Sequence, residues 1–145
     1  MVSTDNELPF EWLGYLKIDH VGIAVTDLEA AIRMYGFLTE PEETEIMEVP
    51  QEGIRVAMLQ VGDIRLELLQ PMTDESTVSR FLKRRGPGLH HIAIRVGNIE
   101  DAIRKTRSHG LQLIDDAPRQ GVCGAKAAFI HPKSTGGSLI ELYER

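Results

Sequence analysis

Hydrophobic positions along this chain switch twice from a period of two to a helical period. Over residues 18–25, Val21, Ile23 and Val25 alternate with His20, Gly22 and Ala24, which predicts a strand with one branched face and one face of small residues beside a histidine. Asp27 can cap a helix over residues 28–35, and Gly36 can end it. Residues 42–49, 54–61 and 64–69 then read as strands, parted by the turn signals Pro50-Gln51-Glu52-Gly53 and Gly62-Asp63. Past Pro71, a polar start followed by Val78, Phe81 and Leu82 predicts a linking helix over residues 73–85, stopped by Gly86-Pro87-Gly88. The order then begins again, with a strand over residues 89–96, a helix over 99–109 ended by Gly110, and strands near 111–114, 125–130 and 138–143.

The two halves share more than their order. His20-Val21-Gly22-Ile23-Ala24-Val25 returns as His91-Ile92-Ala93-Ile94-Arg95-Val96, and Leu66-Glu67-Leu68 returns as Ile140-Glu141-Leu142. The histidines lie 71 positions apart and the glutamates 74. Strand parity puts His20 and His91 on the faces that carry small residues, and sets Glu67 and Glu141 between core positions. A carboxylate at such a place is costly to bury unless it is paired or bound to a cation. Two imidazoles and two carboxylates at matched positions suit a divalent ion of borderline softness, with zinc, cobalt, nickel, manganese and iron all admissible. His90 is expected on the face opposite His91 in a structural role, His109 at a helix end, and His131 in a loop.

Composition narrows the classes. A chain of 145 residues with 42% hydrophobic residues can bury a core, so disorder is not expected. The single cysteine, Cys123, forms no intramolecular disulfide and fits a reducing compartment. With no long apolar run and no basic-then-apolar start, neither a membrane span nor a signal segment is expected, and the protein is read as cytoplasmic. The net charge of −6 argues against nucleic acid as a partner. Two local basic groups remain: Arg80, Lys83, Arg84 and Arg85 on the linking helix, and Arg119, Lys126 and Lys133 near the closing strand. The second group is favoured for an anionic ligand because it flanks Glu141.

With these residues in view, the chain resembles the vicinal oxygen chelate (glyoxalase) superfamily, and within it the methylmalonyl-CoA epimerase family. The resemblance runs over residues 17–143. It rests on Ile18-Asp19-His20-Val21-Gly22-Ile23-Ala24-Val25, Asp74-Glu75-Ser76-Thr77-Val78, Gly88-Leu89-His90-His91-Ile92-Ala93 and Phe129-Ile130-His131-Pro132-Lys133-Ser134, followed by Gly137-Ser138-Leu139-Ile140-Glu141-Leu142. It implies an α+β fold of two tandem βαβββ modules, residues 17–70 and 88–145, forming a curved mixed sheet around a metal site. A linking helix over about residues 73–86 joins the modules, and residues 1–16 extend ahead of them, with Phe10, Trp12 and Tyr15 as anchors. It further implies one divalent ion per chain, Co2+ first, held by His20, Glu67, His91 and Glu141, with Glu141 also an acid/base group. A second acid/base glutamate of the family falls on Val56, a departure. The implied substrate is a CoA thioester epimerised at C2, and the implied assembly a homodimer. A glyoxalase I-type lyase acting on a glutathione carrier is the alternative, and a non-catalytic small-molecule binder comes third.

Overall fold

The computed structural model describes residues 13, 17–39 and 44–145. Among these, eight strands and three α-helices follow one another as β1 (Lys17–Ala24), α1 (Leu28–Gly36), β2 (Ile46–Val49), β3 (Ile54–Val61), β4 (Ile64–Pro71), α2 (Thr77–Arg85), β5 (Gly88–Arg95), α3 (Ile99–Ser108), β6 (Arg119–Gln120), β7 (Lys126–Ile130) and β8 (Ile140–Glu144). The class is α+β, and the order β-α-β-β-β occurs twice around α2.

Two compact units make up the chain, Ile18–Ile94 and Arg95–Arg145 with the described residues before Ile18. β5 opens the second repeat in sequence, yet all but its last residue belongs to the first unit. There the strand order is β2-β3-β4-β1-β5. β1 runs parallel to β4, while β3 is antiparallel to β2 and β4. The β1–β4 register sets His20 beside Arg65 and Gly22 beside Glu67. One face of these strands carries Ile23, Val25, Ala57, Leu59 and Leu68, against which α1 packs Leu28, Ala31, Ile32 and Tyr35.

The second unit repeats this packing with β8-β7-β6 and α3. Ile99, Ala102 and Ile103 of α3 meet Val96, Ala128, Ile130 and Leu142. Val25 and Val96, Leu28 and Ile99, Ala31 and Ala102, and Ile32 and Ile103 are core pairs at the repeat's spacing of 71. The helix starts repeat as well. Asp27 Oδ1 accepts the Ala30 N–H at 3.0 Å, and Asn98 Oδ1 accepts that of Asp101 at 2.8 Å. The Leu28 N–H donates to Gln70 Oε1 at 2.8 Å, and the Ile99 N–H to Glu144 Oε2 at 3.2 Å. In each unit a side chain near the end of the closing strand takes up an N–H that the helix itself cannot pair.

Several boundaries differ from expectation. The linking helix begins at Thr77, because Ser76 Oγ caps the Ser79 N–H at 3.0 Å and fixes the start there. The expected strand over 111–114 is reduced to a bridge between Leu113 and Ile130. Asp115 Oδ2 takes the Phe129 N–H at 2.9 Å in place of a ladder bond, and Pro118 has no N–H to give. Pairing with β7 resumes only at Arg119–Gln120. The strand expected from Glu42 starts at Ile46, and its first positions, like the anchors Phe10, Trp12 and Tyr15, lie outside the described residues. Leu13 does pack on the second unit's core.

Candidate metal centre

Three side chains from three strands of the first unit converge. His20 enters from β1, Glu67 from β4 and His91 from β5. They are 0%, 6% and 6% exposed, and one donor atom from each lies within 4.8 Å of the others. His20 Nε2 is 3.1 Å from Glu67 Oε2 and 3.3 Å from His91 Nε2. The two rings meet edge to face, with an interplanar angle of 88°.

The register explains how they fit. Gly22 sits beside Glu67 in the parallel ladder and leaves an open place on the sheet. The ring of His91 fills it: a Cβ on residue 22 would stand 2.2 Å from His91 Cε1 and 2.3 Å from Nδ1. The small residue on the histidine face of β1 thus makes room for the second imidazole.

A neighbouring charge sets the chemistry of the donors. Asp19, 1% exposed, accepts from His20 Nδ1 at 2.7 Å, and the same Oδ2 accepts from Arg65 Nη2 at 2.9 Å. With its proton on Nδ1, His20 turns the Nε2 lone pair toward Glu67 and His91. Buried lone pairs facing each other at this range repel unless a cation or proton lies among them. Nitrogen donors about 2.1 Å from one ion are about 3.0 Å apart at a right angle and about 3.4 Å apart at the tetrahedral angle. The 3.3 Å between the two imidazole nitrogens falls inside that interval, so the donor set fits a divalent ion.

The fourth expected ligand, Glu141, belongs to the other compact unit. It is 6% exposed on β8, opposite Phe129 of β7 and beside Leu142, which is 1% exposed. Val56 is 0% exposed, so its position presents hydrocarbon with no proton to transfer. Arg55 and Ala57 on either side turn to α1, as parity required. Arg55 Nη2 donates to Glu29 Oε1 at 2.6 Å, and Ala57 joins the core under the helix.

His90 was expected on the face opposite His91 in a structural role, and its contact with His91 was not foreseen. Its Nδ1 lies 2.9 Å from His91 Nδ1, and its ring packs on Phe81 of α2 with centroids 4.8 Å apart. Side chains of adjacent strand residues leave the backbone on opposite faces. Nδ1, however, is the ring nitrogen nearest the backbone, and two of them can meet around it. Asp19 reaches His20 in the same way. Its place just before a strand histidine was the signal available in the sequence. Of the other histidines, His109 caps the end of α3, and His131 Nδ1 accepts the Lys133 N–H at 3.1 Å in a short 3-10 turn. Cys123 is exposed with φ 57°.

Residues 19–129 match the family model for the Glyoxalase/Bleomycin resistance protein/Dioxygenase superfamily. The mitochondrial methylmalonyl-CoA epimerase of Homo sapiens is 34% identical over 127 residues, covering 87% of this chain and 72% of that protein. Methylmalonyl-CoA epimerase from Mycobacterium tuberculosis superimposes with a TM-score of 0.82 at 38% identity, covering 88% of this chain and 86% of that one. A variant of the Streptomyces coelicolor enzyme in complex with 2-nitronate-propionyl-CoA gives a TM-score of 0.82 at 34% identity, covering 88% and 93%. By sequence and by fold, the chain belongs to the Glyoxalase/Bleomycin resistance protein/Dioxygenase superfamily and, within it, to the methylmalonyl-CoA epimerase family.

Proposed function

We propose that this protein interconverts the two C2 epimers of methylmalonyl-CoA, with one divalent ion held by His20, Glu67, His91 and Glu141. The observation that carries the reading is the buried convergence of His20, Glu67 and His91 in a chain of this family. Glu141 enters on the repeat, as the counterpart of Glu67. When bound, the ion supplies Lewis-acid stabilisation of the negative charge that develops on the substrate's oxygens as C2 loses its proton. Asp19 keeps the His20 Nδ1 proton in place and Nε2 directed inward. Glu141 moves a proton at its carboxylate oxygen, a role typically worth about 10²–10⁴-fold. On the opposite face of C2 the proton is carried by water or by a nearby side chain other than that of residue 56, since Val56 carries no titratable group.

Cobalt is the proposed ion and a homodimer the proposed assembly, both on the family resemblance, and a reducing compartment is supported by the single Cys123. Among the described residues, no helix is long and apolar enough to cross a membrane. For the CoA phosphates, the candidates are the cations that make no ion pair among the described residues, Arg80 and Arg84 on α2 and Lys133 of the group near the closing strand. In that group, Arg119 Nε donates to Asp115 at 3.0 Å, and Lys126 stands 3.6 Å from Glu100. On α2, Arg80 and Arg84 are exposed.

The deciding experiment follows deuterium incorporation at C2 of methylmalonyl-CoA by metal-reconstituted protein, with methylglyoxal hemithioacetal run in parallel. Exchange with epimerisation is expected. Turnover of the hemithioacetal alone would transfer the site to glutathione chemistry. Glu141→Ala should stay folded and lose nearly all exchange even in excess metal. Recovery at saturating metal would reduce Glu141 to a ligand.

A further inference from the structure

The two histidines of the cluster are matched in the repeat, but their partners are not. Residue 19 corresponds to residue 90 at the same spacing of 71, and the sequence places aspartate at one and histidine at the other. Each touches the Nδ1 of the histidine that follows it, at 2.7 Å in the first case and 2.9 Å in the second. Each is held from behind by a different element. Arg65 of β4 clamps Asp19 at 2.9 Å, while Phe81 of α2 lies edge-on against His90 at 4.8 Å between centroids. Arg85 in turn lies 5.8 Å from the Phe81 ring centroid.

We propose that Asp19 and His90 are positioning residues for the two metal-binding imidazoles, and that they hold them unequally, His20 as the anchored ligand and His91 as the adjustable one. The proposal rests on the metal reading of the cluster. For His91 Nε2 to face the ion, its proton must sit on Nδ1. His91 Nδ1 then donates to His90 Nδ1, which accepts, and His90 keeps its own proton on Nε2. His20 has the stronger partner: a buried carboxylate, fixed by a guanidinium, makes a charge-assisted bond that holds the ring in place. An imidazole nitrogen carries no full negative charge, so its bond to His91 is the weaker of the two. Removing such an outer partner typically lowers metal affinity about 10–100-fold. The Asp19 side belongs at the upper end of that range and the His90 side at the lower.

The test is calorimetric titration of Co2+ into the full chain, with the visible absorption of bound Co2+ as a second readout and thermal unfolding of the metal-free protein as the check on folding. Asp19→Asn keeps the shape and removes the charge, and should weaken binding by tens of fold. His90→Phe should weaken it about tenfold and shift the absorption band, while His90→Gln, whose amide oxygen can accept from Nδ1–H, should stay within about threefold of the original. Equal losses in His90→Gln and His90→Phe, or none in either, would overturn the role of His90. Unchanged affinity in Asp19→Asn, or a smaller loss than in His90→Phe, would overturn the unequal assignment. If Asp19→Asn does not fold, Arg65→Gln takes its place: a loss of several fold supports the clamp and none refutes it. Absence of Co2+ binding by the unaltered chain would refute the metal reading itself, an outcome separate from all of these.

Discussion

At the scale of single residues, the site depends on a side chain that is not there. Gly22 has no positive-φ requirement, so its constraint is space alone. Gly22→Ala is expected to push the His91 ring off the cluster and cut metal affinity at least tenfold. The strand should remain intact, so metal-free circular dichroism should not change while titration shows the loss. Native affinity in this variant would mean that the ring can move aside at no cost. The histidines and glutamates were legible in the sequence because repetition marked them. Asp19 and His90 were not assigned their contacts, because alternation describes where a side chain starts and not where a short polar group curls back to. Glu67 was marked by the repeat, but its burial against His20 depends on the parallel β1–β4 register, which no local pattern encodes.

At the scale of elements, the starts of α1 and α3 and the stronger strands followed from caps and periodicity, whereas the start of α2 and the weaker strands did not. Asp27 caps α1 as read, and Asn98 repeats that cap on α3, but Asp115 diverts one strand by bonding the Phe129 N–H, a long-range choice invisible to a window of a few residues. Asp27→Ala should cost about 1 kcal/mol of stability by denaturant unfolding. Arg55 joins α1 to β3 through Glu29, whose carboxyl its hydrogen bond and charge hold below the ordinary 4.5. A lowered pKa means the contribution is present above the ordinary value and fades as pH falls below it. The difference in unfolding midpoint between the native chain and Arg55→Ala should therefore be seen at neutral pH and shrink below about pH 4.5. On α2, the double charge reversal of Arg80 and Arg84 to glutamate should raise KM for the CoA ester, more at low salt than at high salt, with metal content unchanged. A KM indifferent to both changes would move the phosphates to Lys133 and its surroundings.

At the scale of the molecule, the three converging donors all lie within one compact unit, and the fourth proposed ligand lies in the other. Metal should therefore raise hydrogen-exchange protection in β1, β4 and β5 in any case, and in β8 only if Glu141 binds. Protection confined to the first three strands would leave Glu141 outside the coordination set. Leu28→Ala and Ile99→Ala remove matched core side chains, both 0% exposed, and each should cost about 2–5 kcal/mol. The mismatch between Asp19 and His90 has a consequence of another kind. Were the two repeats separate copies of one short gene product, every substitution would strike both histidines at once, and neither neighbour could change without the other. Written twice in a single reading frame, the motif lets a mutation reach one imidazole and spare its twin. The aspartate at one position and the histidine at the other are a freedom that only a duplicated, covalently joined sequence possesses.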